Sequence, residues 1–280
     1  VPYRRTRVRE PQGVPAAERR CLWWEGGGEL VYRQNASGNP ATPGDAEFQA
    51  VQSSFATWNR AFQGCGNLTF REGPRSSDRV NGYREEGGDN VNQVIFRTQR
   101  CSDVAPEEDP CWSEPATCQN RYDCWSADPL AIAVTVTTYD MVSGQILDGD
   151  IELNAAHFFF TAVDGPRCNT GEARSDCVAT DVENTVTHEI GHFIGLDHTR
   201  HTDSTMASRA VEGETSKRTL DPGTQQAVCD LYPQGRPTLE CEGQGGTPPP
   251  PSTGCGAAAG ATGAGPLLML ALWWRRRRHA

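Results

Sequence analysis

His188-Glu189-Ile190-Gly191-His192-Phe193-Ile194-Gly195-Leu196-Asp197-His198 is the stretch from which the rest of the chain can be read. On a helix, residues four apart share a face, so His188 and His192 aim both imidazoles at one point. Val186, Ile190, Phe193 and Ile194 supply apolar packing, and Asp181 or Thr180 fits the N-cap. Gly195 lets the backbone leave the helix in a conformation a side chain resists, and the turn returns His198 as a third ligand. Three neutral imidazoles and an open fourth position are the donor set of a catalytic zinc ion, which lowers the pKa of its water to about 7. Glu189, adjacent to the first ligand, is the candidate general base. A helix that simply buried three imidazoles and a carboxylate would leave costly unpaired polar groups, so the metal is the better account.

Outward from this segment, the region 21–233 predicts one mixed α+β domain. Strands are expected at Glu29–Gln34, Leu68–Glu72, Val94–Thr98, Leu130–Thr138 and Ile146–Asn154. The fourth alternates, with Ile132, Val134 and Val136 on one face, and Ser143-Gly144 marks a hairpin to the fifth. A helix is expected from an N-cap at Asp45 to about Phe62, because Phe48, Val51, Phe55, Trp58 and Phe62 recur at spacings of three and four. Those aromatics read as core. Asp221 followed by Pro222 marks the start of a last helix.

The chain has 280 residues, with 36 acidic and 26 basic ones for a net charge of −10. Arginines crowd both ends, at Arg4, Arg5, Arg7, Arg9, Arg19 and Arg20 and again at Arg275–Arg278, so the body is more acidic than the net figure suggests. That balance argues against a nucleic-acid partner. Eleven cysteines point to an exported, oxidised protein, and the odd count leaves one without an internal partner. Short loops favour Cys168–Cys177 and Cys229–Cys241 as pairs. Asp148, Asp150 and Glu152 are candidate calcium ligands, though exposed strand carboxylates account for them equally. His157, beside three phenylalanines, reads as packed, and His201 as an exposed loop residue.

The histidine segment, followed by Ser204-Thr205-Met206, resembles the metzincin metallopeptidases, whose zinc signature precedes a methionine turn. The chain is most similar to the matrixins among them, through "SSFATWNRAF" and "LTF" within Phe48–Glu72 and "LDPGTQQAVCDLYP" at Leu220–Pro233. The resemblance implies a twisted five-stranded mixed sheet with two long helices, an active-site cleft, and a small C-terminal lobe with the Met-turn at Met206 and a closing helix. It further implies one catalytic zinc held by His188, His192 and His198, Glu189 as the catalytic base, and polypeptide substrates lying along the edge strand 130–138. The family's second, structural zinc is not expected, because the edge strand reads Ala131-Ile132-Ala133 and the cysteine-rich stretch Cys101–Cys124 stands in its place. The specificity pocket is expected behind Ala207–Leu220.

Residues 234–254 form a Pro/Gly-rich linker, and 255–280 comprise Cys255, an uncharged run Gly256–Trp274 and four arginines. As a helix that run spans roughly 28 Å, about a bilayer's hydrocarbon thickness, and the arginines favour a cytoplasmic C-terminus. This terminus resembles the C-terminal sorting tail of myxobacterial surface proteins, which implies processing at or near Cys255 and retention of the protein at the cell surface. Four segments are therefore expected: a basic N-terminal segment 1–20, the catalytic domain 21–233, the linker 234–254 and the tail 255–280. The expected product is a monomeric zinc endopeptidase, exported and attached to the membrane through its tail. Two other functions fit parts of the same pattern: a non-catalytic surface adhesion module on a metzincin fold, and a metal-dependent hydrolase of non-protein amides. An intact Glu189 speaks against the first, since binding alone needs no general base.

Overall fold

A computed structural model describes residues 3–9, 19–85, 90–118, 121–169, 171–235 and 238, and the backbone of 255–257. Five strands, β2 (Glu29–Gln34), β3 (Thr69–Glu72), β4 (Asn92–Phe96), β5 (Ala131–Tyr139) and β6 (Ile146–Leu153), form a mixed sheet in the order β3-β2-β4-β6-β5. β2 pairs parallel with β3 and β4, and β4 parallel with β6, whereas β5 runs antiparallel to β6. Parallel neighbours need a long crossover, and α1 (Ala46–Cys65) provides it between β2 and β3. β5 and β6 are joined by the expected hairpin, which leaves β5 with one edge turned away from the five strands. Beyond that edge two short strands, β10 (Arg209–Ala210) and β11 (Cys255–Ala257), continue the sheet.

The aromatic stripe of α1 does what its spacing predicts: Phe48, Val51, Phe55, Trp58 and Phe62 are all buried. Phe55 stacks on Tyr32 of β2 and meets Phe70 of β3 edge-on. Asp45 occupies the N-cap position but makes no capping hydrogen bond; its carboxylate pairs with Arg75 instead. On its other side α1 packs against α4 (Val182–Phe193), where the Trp58 indole N–H donates to the Thr187 carbonyl at 2.9 Å. The last helix, α5 (Pro222–Leu231), is stapled to α1 by the disulfide Cys65–Cys229. That pairing replaces the expected Cys229–Cys241: a short loop in sequence matters less than the packing of two helix ends distant in sequence. Cys168–Cys177 forms as expected.

In the cysteine-rich stretch, Cys101–Cys124 ties α2 (Cys101–Val104) to the loop before β5, and Cys111–Cys118 ties α3 (Pro110–Ser113) to the turn that follows it. The four sulfurs lie within 4.8 Å of one another, and in this oxidised pairing they offer no thiolate to a metal. The N-terminal residues also join the body. β1 (Arg4–Arg5) pairs antiparallel with β9 (Leu196–Asp197), and Val8 sits in the main core. Among the described residues no helix is long and apolar enough to cross a membrane. The tail beyond Ala257, including most of Gly256–Trp274 and the four arginines, lies outside the described residues, as does Cys241.

The acidic residues of β6 are not exposed strand carboxylates. Asp148 and Asp150 are almost fully buried and Glu152 nearly so, because the loop 78–84 folds over them. Arg97, itself 1% exposed, pairs with Glu152 at 2.9 Å and with Asp123 at 2.8 Å. Asp150 accepts from the backbone N–H groups of Gln93 at 2.8 Å and Gly82 at 2.6 Å. Asp148, two residues before Asp150 on the same strand, has its Oδ2 buried without a hydrogen-bond partner. Burial raises the pKa of both: Asp148 to about 6, and Asp150 further above the usual range, where the neighbouring Asp148 charge adds to the effect. The pair thus keeps a proton in the fold that it would lose in the unfolded chain at neutral pH. Its contribution is fully present below the unfolded carboxylate pKa of about 4 and is lost as pH rises through the folded values. In calcium-free buffer the melting temperature is expected to decline between about pH 4 and pH 7, and Asp148→Asn is expected to flatten that decline. Parallel profiles for the two proteins would contradict the shared proton.

Candidate metal centre

α4 begins with Asp181, whose carboxylate caps the helix by accepting from the Asn184 N–H at 2.7 Å. The same carboxylate receives Arg218 in two contacts, 2.6 and 2.9 Å. Those bonds, above all, hold the guanidinium more firmly charged than usual, against the effect of its burial. The other end of the helix is closed by two distant side chains. The Trp24 indole donates to the Phe193 carbonyl at 2.7 Å, and the Tyr232 hydroxyl donates to that of Ile194 at 2.8 Å. Gly195 then turns the chain with φ +88°, and a Cβ there would press on the Leu22 carbonyl. The helix is thus pinned at both ends, with its histidines between the pins.

The three predicted ligands converge. Their Nε2 atoms are separated by 3.1 Å (His188–His192), 3.2 Å (His188–His198) and 3.0 Å (His192–His198). Zinc–nitrogen bonds of about 2.0–2.1 Å in a tetrahedron place donors roughly 3.3 Å apart, so the set fits one ion. The opposite nitrogens explain why the facing ones are lone pairs. His188 Nδ1 lies 2.5 Å from the Thr205 carbonyl and His192 Nδ1 lies 2.8 Å from the Leu196 carbonyl. A carbonyl can only accept, so each Nδ1 carries the proton and each Nε2 is bare. Burial keeps His188 and His198 neutral, each with its pKa pushed down, His198 to about 2; neighbouring histidines add to both shifts. Bare lone pairs this close repel unless a cation lies between them.

Glu189 is fully buried, with the Thr135 hydroxyl of β5 2.7 Å from its Oε2 and 3.0 Å from its main-chain carbonyl. Thr135 was not singled out by the sequence; only its place on the edge strand would have drawn attention to it. Met206, 1% exposed, packs against Gly191 at the end of a turn fastened by Asp221. Asp221 accepts from the Thr205 N–H and the Ser204 hydroxyl, each at 2.9 Å, while capping α5 through the Gly223 and Thr224 N–H groups. Gly191, between the two helical histidines, is another residue whose role was missed. A Cβ there would collide with the Met206 thioether. Thr6 was likewise passed over within the basic N-terminal segment. Its hydroxyl donates to the Leu196 carbonyl at 2.9 Å, the same oxygen that orients His192.

A cavity of about 360 Å³ lies between β5, the first turn of α4 and the segment after Met206. Ile132, Phe158, Asn184, Thr185, Val211 and Glu212 line it. Its far wall is the expected specificity segment. Lys217, the only lysine in the chain and buried, ties that wall down by donating to the Arg209 carbonyl and pairing with Glu214. His157 is exposed at the cavity and hydrogen-bonded to Asn154, rather than packed as expected, whereas His201 is an exposed loop residue as expected. Cys255 lies apart from the histidine segment in sequence, in β11 at the outer edge of β5.

Residues 125–233 match the family model of the matrixins. The match supports a matrixin-like metallopeptidase. It takes in His188, Glu189, His192, His198 and Met206 together with β5, β6 and α5, and leaves out α1 and the first three strands of the sheet. No curated protein matches the chain. In this matrixin-like site Gly191→Ala is expected to displace Met206 and cost about 1–3 kcal/mol of stability, as overpacking of a filled interior does. Thermal unfolding checks this, and an unchanged melting temperature would show that the thioether has room to move.

Proposed function

We propose that the chain is a zinc-dependent endopeptidase that works outside the cell, held at the cell surface through its C-terminal tail until processed. The observation that carries this is the trio of convergent Nε2 atoms 3.0–3.2 Å apart beside a buried glutamate. His188, His192 and His198 would hold the ion. Bound zinc supplies Lewis acidity, making water a better nucleophile near neutral pH and a carbonyl a better electrophile. Glu189 takes a proton from the attacking water at its carboxylate and passes it to the leaving nitrogen as the C–N bond breaks. The water oxygen ends on the carbonyl carbon. Thr135 fixes the carboxylate's orientation from the edge strand. An extended polypeptide would add to the outer edge of β5, where β11 lies, through main-chain hydrogen bonds, with one side chain in the adjoining cavity.

The disulfides suit an oxidising compartment, and the acidic body suits peptide rather than nucleic-acid partners. A monomer is the simplest state for a cleft that is complete within one chain. Calcium is a second candidate ion, through Asp148 and Asp150, where the unpartnered Asp148 Oδ2 is a buried acceptor. Hydrolysis of casein or gelatin tests the main reading. Activity is expected to vanish with a chelator and to return with zinc. Glu189→Ala is expected to lower kcat by about 10²–10⁴-fold while zinc is still bound. Absence of chelator-sensitive cleavage across a peptide library would overturn it and favour one of the two other functions.

A further inference from the structure

The edge of β5 that a substrate would use carries a strand from the chain itself. β11 runs antiparallel to β5, with Cys255 opposite Ala133 and Gly256 opposite Ala131. It also runs parallel to β10, with Gly256 opposite Arg209 and Ala257 opposite Ala210. Three residues thus bridge the two sides of the cavity, since Ile132 of β5 and Ala210 of β10 both line it. The alternation of β5 fixes which groups face this strand. The Ile132 carbonyl accepts from the Asn154 N–H at 2.9 Å, on the β6 side, so the Ala133 N–H and carbonyl point to the opposite edge.

Polarity fixes the rest. Two residues along β5 from Ala133 is Thr135, which touches Glu189. At about 3.3 Å per residue, Cys255 therefore lies roughly 7 Å along the strand from the level of the glutamate's partner, and Gly256 and Ala257 lie farther off. The end of β11 nearest the three histidines is the Cys255 end. Reach is no obstacle, because residues 236–254 can extend over more than about 60 Å at 3.3–3.6 Å each. Cys255 is also the residue that the sequence singles out at the head of the tail.

We propose that the groove between β5 and β10 takes the chain's own Cys255–Ala257 as its peptide ligand, and that the same site cuts the main chain beside Cys255. This rests on the endopeptidase reading above. One peptide C–N bond breaks, water gives its oxygen to the carbonyl carbon, and the new amine takes the proton relayed by Glu189. The products are a body ending near Cys255 and a separate tail carrying the apolar run and the arginines. Until the cut, the tail fills the groove and excludes other peptides.

The test uses the full chain. Amide hydrogen exchange at Ala133 is compared between Glu189→Ala, which preserves the uncut chain, and the same protein carrying Gly256→Pro, which removes an N–H from β11. Ala133 is expected to exchange at least about tenfold faster with the proline. Mass spectrometry of the chain with Glu189 intact is expected to show a cut adjoining Cys255 that Glu189→Ala lacks. Equal exchange rates, or a tail left whole by a preparation that hydrolyses casein, would overturn the proposal and leave the endopeptidase reading standing. Faster exchange with the proline in a preparation without any peptidase activity would support the docking and overturn the endopeptidase reading instead.

Discussion

Three imidazole nitrogens are forced together in the interior of this protein, and most of the structure around them exists to keep them there. Their separation of 3.0–3.2 Å is unfavourable for neutral nitrogens and favourable once a divalent cation sits between them. The constraint is met from four directions. α4 sets the spacing of His188 and His192, the Gly195 turn returns His198, and the Thr205 and Leu196 carbonyls orient two of the rings. Each support is itself supported. Asp221 fastens the turn that carries Thr205, Thr6 shares the Leu196 oxygen, and Trp24 and Tyr232 cap the helix from opposite ends of the sequence.

The large features were legible because each has a local cause. Heptad-like spacing of aromatics gave α1, alternation gave β5, and an eleven-residue segment gave the three convergent histidines and the glutamate. What escaped depends on approach between distant segments. Gly191 looks like a permissive helix residue until Met206 is placed against it, and Thr135 looks like one more strand threonine until β5 crosses α4. The charged strand β6 misled in a different way. Its alternation of Asp148, Asp150 and Glu152 suggested a solvent face, yet the loop 78–84 and Arg97 cover it and satisfy most of its oxygens. The Cys65–Cys229 pair shows the same limit, since loop length says nothing about which helix ends meet.

Edge strands are usually protected, and an unpaired one invites association with other chains. In the proposed reading the outer edge of β5, paired with β11, is the functional surface, next to a cavity and a wall held down by Lys217. Occupation of that edge by β11 brings together two parts of the sequence that seemed unrelated, the edge strand and the cysteine at the head of the tail. Chemistry, retention and release would then be linked through one groove.

X-ray absorption at the zinc edge of the purified full-length protein tests the central claim most directly. One zinc per chain is expected, with three imidazole nitrogens at about 2.0–2.1 Å and no sulfur neighbour. Loss of that signal is expected in His198→Ala. A sulfur-coordinated zinc, or a protein that binds zinc equally well without His198, would contradict the account.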